Sequence, residues 1–315
     1  LQDSKYISPA KEWLDVDNRP INAHGGGFLV HKDTVYWYGE IKEGKTWEPE
    51  STRSWNGSRV EAKGINCYWS VDLVKWKLAG NVLKANVQDP THDLHSSKVM
   101  ERPKVIYNEK TGKFVMWLHI DSEDYSFARA GVAISDSPRG PFNYIESMRP
   151  NGHMSRDQTL FKNDDGTAYH IYSSEENMTM HIRKLSDDYL RPSGEYRRIF
   201  IDREREAPAI FKHDGKYFAI TSGCTGWDPN PAVYAVAQEI MGDWKIMGDP
   251  CIDDVKGTTF DAQSTYVLPF IGQYIFMADR WNRLDLESSK YVWLPLEIEN
   301  DKISIKWYDK WNLNQ

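Results

Sequence analysis

Arg205-Glu206-Ala207-Pro208-Ala209-Ile210-Phe211-Lys212-His213-Asp214-Gly215-Lys216-Tyr217-Phe218-Ala219-Ile220 places an Asp-Gly pair between two runs rich in apolar and aromatic residues. A two-residue turn that matches strand twist needs positive φ at its centre, which Gly and Asp tolerate, so the stretch predicts a β-hairpin. The pattern recurs four more times. Phe28 to Val30 turns at Lys32-Asp33 into Thr34 to Tyr38, and Pro103 to Tyr107 turns at Gly112 into Phe114 to Leu118. Thr159 to Phe161 turns at Asp165-Gly166 into Ala168 to Tyr172, and Tyr266 to Phe270 turns at Gly272 into Tyr274 to Met277.

Counting back nine residues from Asp33, Gly166, Gly215 and Gly272 reaches His24, Asp157, Glu206 and Gln263. The second copy has a turn longer by two, and Glu101 stands eleven before Gly112. Further strand-like runs follow each hairpin: Ile65 to Ser70, Ala128 to Ser135, Asn177 to Lys184, Pro231 to Ala237 and Tyr291 to Leu296. Ser186-Asp187-Asp188-Tyr189-Leu190 echoes Ser70-Val71-Asp72-Leu73, as a repeated four-stranded unit would. No segment has a sustained helical period. The expectation is an all-β, five-bladed β-propeller formed by residues 1–315 as one domain, which gathers the five counted side chains around its axis. Residues 1–20 are expected to wrap irregularly, anchored by Trp13, and residues 41–62, with Trp47 and Trp55, to form a charged loop.

Composition narrows the function. The 315 residues carry 39 Lys and Arg against 46 Asp and Glu, a net charge of −7 that argues against a nucleic-acid surface. No apolar run is long enough to span a bilayer. Three scattered cysteines and nine histidines follow neither a disulfide framework nor a zinc spacing, so no metal or cofactor is expected. Thirteen Trp and seventeen Tyr suit both core packing and stacking on sugar rings. Gly25-Gly26-Gly27 precedes a strand, not a helix, and is therefore read as close backbone approach, not a phosphate loop.

Glu101, Asp157 and Glu206 converging at one mouth of the axis would repel one another when ionised, which raises at least one pKa. A carboxylic acid that keeps its proton near neutral pH is what glycoside hydrolysis requires of its general acid. At this point the motifs carry a resemblance. Arg156-Asp157 ahead of Phe161-Lys162-Asn163-Asp164-Asp165-Gly166, and Glu206-Ala207-Pro208 ahead of a hairpin, resemble glycoside hydrolase family 43, whose members are five-bladed propellers. The resemblance implies Glu206 as general acid and Asp157 as the carboxylate that positions it and raises its pKa. The family's usual base is an aspartate in the first blade, where this chain has Asn22-Ala23-His24-Gly25. Together with Glu101-Arg102-Pro103, Thr225-Gly226-Trp227 and Thr258 to Ser264, this is similar to the exo-β-1,3-galactanases of the family.

The resemblance implies inverting release of galactose from the β-1,3-galactan of type II arabinogalactan, with Gln263 handling the attacking water. An amide alone is a weak base, so either an imidic-acid tautomer of Gln263, a relay through Glu101, or Glu101 itself takes the proton. His24, Glu40, Tyr125, Asn177, Thr225, Trp227, Arg280 and Trp281 are the candidate sugar contacts, with Trp227 as stacking platform. A secreted or periplasmic monomer acting on polysaccharide is expected. The alternatives are an α-L-arabinofuranosidase of the same family and a sugar-binding propeller without turnover.

Overall fold

The computed structural model describes residues 5–48 and 57–313; of the loop expected over 41–62, Trp55 lies outside them. Twenty strands form five four-stranded antiparallel sheets, each built from consecutive strands in chain order. Blade 1 comprises β1 (His24–His31), β2 (Thr34–Glu40), β3 (Gly64–Ser70) and β4 (Lys77–Lys84). Blade 2 comprises β5 (Val99–Asn108), β6 (Lys113–Asp121), β7 (Arg129–Ser135) and β8 (Asn143–Met148). Blade 3 follows with β9 (Gln158–Lys162), β10 (Ala168–Ser174), β11 (Thr179–Leu185) and β12 (Pro192–Ile199). Blade 4 holds β13 (Arg205–His213), β14 (Lys216–Gly223), β15 (Val233–Ala237) and β16 (Trp244–Gly248). Blade 5 holds β17 (Gln263–Phe270), β18 (Gln273–Arg280), β19 (Lys290–Glu299) and β20 (Lys302–Ile305). This is a five-bladed β-propeller, and each counted turn joins the first two strands of a blade. No helix among the described residues is long and apolar enough to cross a membrane.

The hairpins are apolar on both faces because each sheet is packed on both sides. In β13, Ala209 and Phe211 face Val267 and Phe276 of blade 5, while Ile210 joins Ile171 and Ile182 of blade 3. Near-continuous apolar runs are the mark of strands buried twice. Five buried clusters of this kind fill the five spaces between neighbouring blades. The fourth strands face outward, and β12 and β16 are mostly exposed.

The space between blades 1 and 5 is packed with indoles. Trp37, Trp76, Trp293 and Trp311 are fully buried there, and Trp13 meets Trp293 edge-on at 4.7 Å. The ring is fastened by the ends of the described chain: Ile7 and Trp311 exchange backbone hydrogen bonds of 2.8 and 3.0 Å. Ile7 therefore joins Trp13 as an anchor of the N-terminal segment. The Ser-Asp echo proves to be one local device. Ser70 Oγ accepts from Leu73 N and Ser186 Oγ donates to Asp188, and the buried Leu73 and Tyr189 both adopt positive φ, +63° and +65°.

The axis is plugged. Lys104, 2% exposed, points its Nζ to Gly25 O at 3.1 Å and to Thr265 Oγ1 at 3.4 Å. The glycine run exists for this approach: a Cβ on Gly27 would stand 2.6 Å from Pro103 O, and one on Gly25, at φ +54°, 2.6 Å from the Glu40 carboxylate.

Candidate active site

The counted residues occupy equivalent places at one mouth of the axis. His24 pairs with Glu40, Glu101 with His119, Glu206 with Ser222 and Gln263 with Asp279 across the first two strands of their blades. Asp157 immediately precedes β9, its carbonyl accepting from Ser173 N at 2.9 Å. A bulge follows His24, Glu101 and Glu206, and the next residues, Gly25, Arg102 and Ala207, have φ of +54°, +51° and +52°. A bulge bends its strand and re-aims the side chains beside it. Here it turns carboxylates toward the axis and sends Arg102 across it.

Glu101, Arg102, Asp157, Glu206 and Gln263 line a pocket of about 330 Å³. Its hub is Arg102, buried and held on all sides: Nε meets Asp157 Oδ2 at 2.9 Å, Nη2 donates to Gln263 Oε1 at 2.7 Å and Nη1 to Ser264 O at 3.0 Å. Its backbone N–H donates to Glu40 Oε2 at 2.8 Å. Asp157 Oδ2 also accepts from Ala207 N at 3.1 Å, which ties the blade 3 carboxylate to the residue after Glu206.

Glu206 is the group with raised proton affinity. Burial pushes its pKa up, the Asp157 charge adds to this, and Arg102 only partly opposes them, leaving it at about 8. Gln263 Nε2 donates to Glu206 Oε1 at 3.2 Å, and Asn177 Nδ2 approaches Oε2 at 3.4 Å. Every hydrogen-bonding position of the Gln263 amide is engaged. Its Oε1 accepts from Arg102 and, at 2.9 Å, from Trp281 Nε1, while Nε2 also donates to Ser222 Oγ at 2.9 Å.

Glu101 is tuned the other way. Burial would raise it, but the His119 ring, Lys42 and the Tyr125 hydroxyl outweigh burial and hold it well below the usual carboxylate range. Tyr125 donates to its Oε1 at 2.8 Å. His119 is 1% exposed and lies between carboxylates, with Nε2 2.7 Å from Asp121 and Nδ1 3.6 Å from Glu101 and 3.9 Å from Asp157. Burial alone would lower its pKa, yet Asp121 and Glu101 carry it to about 10, so the ring is an imidazolium. Glu101, His119 and Asp157 present donor atoms within 4.8 Å of one another, a set that could hold a cation. Their carboxylates already face Arg102, Lys42 and the His119 imidazolium.

Of the expected sugar contacts, Glu40, Tyr125, Asn177, Trp227 and Trp281 line the pocket with Glu101, Asp157, Glu206 and Gln263. Three lie elsewhere. His24 is 1% exposed beneath Trp281, stacked on Tyr291 at 4.8 Å and bound to Asp279 at 3.1 Å, so it braces the floor. Thr225 closes its own turn, donating to Asp228 O at 2.6 Å. Arg280 donates to Phe260 O at 2.6 Å and lines a separate groove beyond Trp281. The sequence pattern assigns no separate role to Arg102, His119 or Ser222. A signal for two of them is present: His119 and Ser222, across the hairpin from Glu101 and Glu206, each stand seven residues after the turn glycines Gly112 and Gly215.

Comparison with known proteins agrees with this geometry. Residues 48–262 match the model for glycosyl hydrolases family 43. A family 43 β-1,3-galactosidase solved with galactodeoxynojirimycin is 43% identical, covering 98% of this chain and 100% of that one, with a TM-score of 0.89. An exo-β-1,3-galactanase from Phanerochaete chrysosporium, solved with β-1,3-galactotriose, is 35% identical over 98% of this chain and 68% of that one, with a TM-score of 0.89. A xylosidase/arabinosidase of Bacteroides ovatus is 28% identical over 275 residues, 74% of this chain and 79% of that protein. With this family model matched over most of its length and a solved family 43 enzyme 43% identical across nearly all of it, the propeller with Glu206 beside the Arg102-paired Asp157 is a glycoside hydrolase, and the chain belongs to glycosyl hydrolases family 43.

Proposed function

We propose that the enzyme removes galactose from the non-reducing end of β-1,3-galactan, the backbone of type II arabinogalactan, with inversion. The observation that carries this reading is the Glu206 to Gln263 contact in a pocket whose floor is closed by Arg102 and Lys104. A closed floor suits a chain terminus, and a volume of about 330 Å³ suits one sugar ring in place. The names of the similar solved enzymes support the choice of galactose.

Gln263 holds Glu206 Oε1 at 3.2 Å while Asn177 reaches Oε2 only at 3.4 Å, so Oε2 is the more weakly held oxygen and carries the acidic proton, which passes to the glycosidic oxygen as the bond breaks. Water then attacks the anomeric carbon from the opposite face and loses its proton to the protein. With its carbonyl already accepting from Arg102 and Trp281, Gln263 has no free lone pair for that proton, and an imidic O–H would point at two donors. Glu101, ionised and facing the pocket, is the remaining acceptor; His119, Lys42 and Tyr125 hold its proton affinity low, so it takes the proton late, once bonding to the anomeric carbon has made the water acidic. A polymer substrate of this kind suits a secreted or periplasmic monomer.

Time-resolved proton NMR of β-1,3-galactan digestion tests the reading, with Glu206→Gln as control. The α-anomer of galactose should appear first, and the control should release it at least about 10²-fold more slowly. β-Galactose appearing first would overturn inversion; absence of galactose would overturn the substrate and direct attention to arabinofuranosides. Near-unchanged turnover by Glu101→Gln would remove Glu101 as base.

A further inference from the structure

Beyond the catalytic pocket lies a second groove of about 380 Å³ that shares Trp227 and Trp281 with it. The two indoles meet edge-on at 4.9 Å and form the partition. Their N–H groups are committed to protein, Trp227 Nε1 to Ser58 O at 2.8 Å and Trp281 Nε1 to Gln263, so what they offer a ligand is ring surface. The groove is formed by the loop after β14 and the loop before β19.

Its charge departs from that of the molecule. The chain carries −7, yet among the described residues the groove is lined by Arg280, Arg283 and Lys290 and by one carboxylate, Asp228. That carboxylate lies beside one of the three. Arg283 Nη1 stands 3.7 Å from Asp228 with both side chains about half exposed. No carboxylate among the described residues forms an ion pair with Lys290. Arg280 is fixed by its bond to Phe260 O and by packing 5.3 Å from the Trp307 ring. Cations beside aromatic rings, continuous with a sugar pocket, fit a sugar that carries an anion.

We propose that this groove is a subsite for a uronate, an acidic sugar carried by the polysaccharide outside the terminal-residue pocket, whose carboxylate meets Arg283 and Lys290 while its ring rests on the Trp227 and Trp281 corner. This rests on the galactan reading for the polymer but not for the groove's chemistry. It makes the enzyme prefer acidic branched galactan to neutral galactan, through binding and not through the chemical step.

The test compares two β-1,3-galactan oligosaccharides that differ only in a branch ending in a uronate or in its carboxyl-reduced hexose. Wild type should show a KM about five-fold lower for the acidic substrate, with equal kcat, since two exposed ion pairs are of that strength. The preference should vanish in high salt. Arg283→Gln/Lys290→Gln should lose it while cleaving unbranched galactan at the wild-type rate. Equal KM values for both substrates in wild type, or a preference retained by the double variant, would overturn the proposal. Saturation-transfer NMR with the uronate disaccharide and its reduced form gives a readout independent of turnover. Preferential contact by the acidic disaccharide without galactan cleavage would keep this subsite and reject the substrate reading. Cleavage of unbranched galactan with no such preference would do the reverse.

Discussion

Glu206 and Glu101 are the same residue type at the same place in two blades, yet their surroundings drive them apart. Asp157 beside Glu206 favours its proton, whereas His119, Lys42 and Tyr125 favour the Glu101 anion. A general acid and an ionised partner therefore coexist near neutral pH. Replacing Glu206 with Gln should lower kcat on galactan by about 10²- to 10⁴-fold. The wild-type kcat/KM should fall at alkaline pH with an apparent pKa near 8. Stability carries the same signature. A carboxyl whose folded pKa lies above its unfolded value binds more protons in the native state, so its contribution is present at acid pH and is lost as pH rises through about 8. Glu206→Gln should thus match wild type in melting temperature at about pH 4 and exceed it at about pH 9, by calorimetry. Arg102 acts on Glu206 by its charge and on Asp157 by direct pairing. Arg102→Ala leaves Asp157 without its guanidinium and Gln263 Oε1 with Trp281 as its one remaining donor, and should cost about 3–5 kcal/mol in denaturant titrations besides abolishing turnover.

At the scale of strands, the hairpin turn and the bulge do different work. Asp214 and Gly215, at φ +47° and +77°, set the register that puts Glu206 at the pocket end of β13. The turn is visible in sequence because positive φ selects residue type. The bulges are not, because two of the three sit at Arg102 and Ala207, which bear side chains and are held at positive φ by their surroundings. Arg102 consequently read as part of a motif, with no sign that its side chain crosses the axis. Gly27 marks where β1 and β5 come closest. Gly27→Ala drives a methyl against Pro103 O and the Lys104 stem, and should destabilise by about 1–3 kcal/mol. Because the collision lies directly below the Arg102 hub, turnover should fall in protein that is still folded, as circular dichroism and initial rates on one sample would show.

For the whole molecule, the weak point of a propeller is the join between its first and last blades. Here that join is made by indole packing and by the Ile7 to Trp311 bridge. Trp311 is 1% exposed and donates to Trp293 O at 2.8 Å, so Trp311→Ala removes both packing and a buried hydrogen bond. A loss of about 3–5 kcal/mol is expected from thermal or urea unfolding. Glu206 and Asp157 lie in blades 4 and 3, away from this join, so residual activity below the new melting point should keep the wild-type pH profile.

Sequence by itself determined the repeat. Turn chemistry and short apolar strand runs are local, and five copies of one hairpin signal specify five blades and the equivalence of His24, Glu101, Asp157, Glu206 and Gln263. It also marked Trp227 and Trp281 as pocket walls. Only the tertiary structure decided which of the equivalent residues reach the pocket and in what protonation state. His24 occupies the counted position in blade 1 but is withdrawn against Tyr291 and Asp279, and Glu40, across the hairpin, takes its place in the lining. The physical reason is that desolvation and charge coupling arise between groups far apart in the chain, such as Arg102 with Gln263 and Asp157 with Ala207, which only closure of the ring brings together.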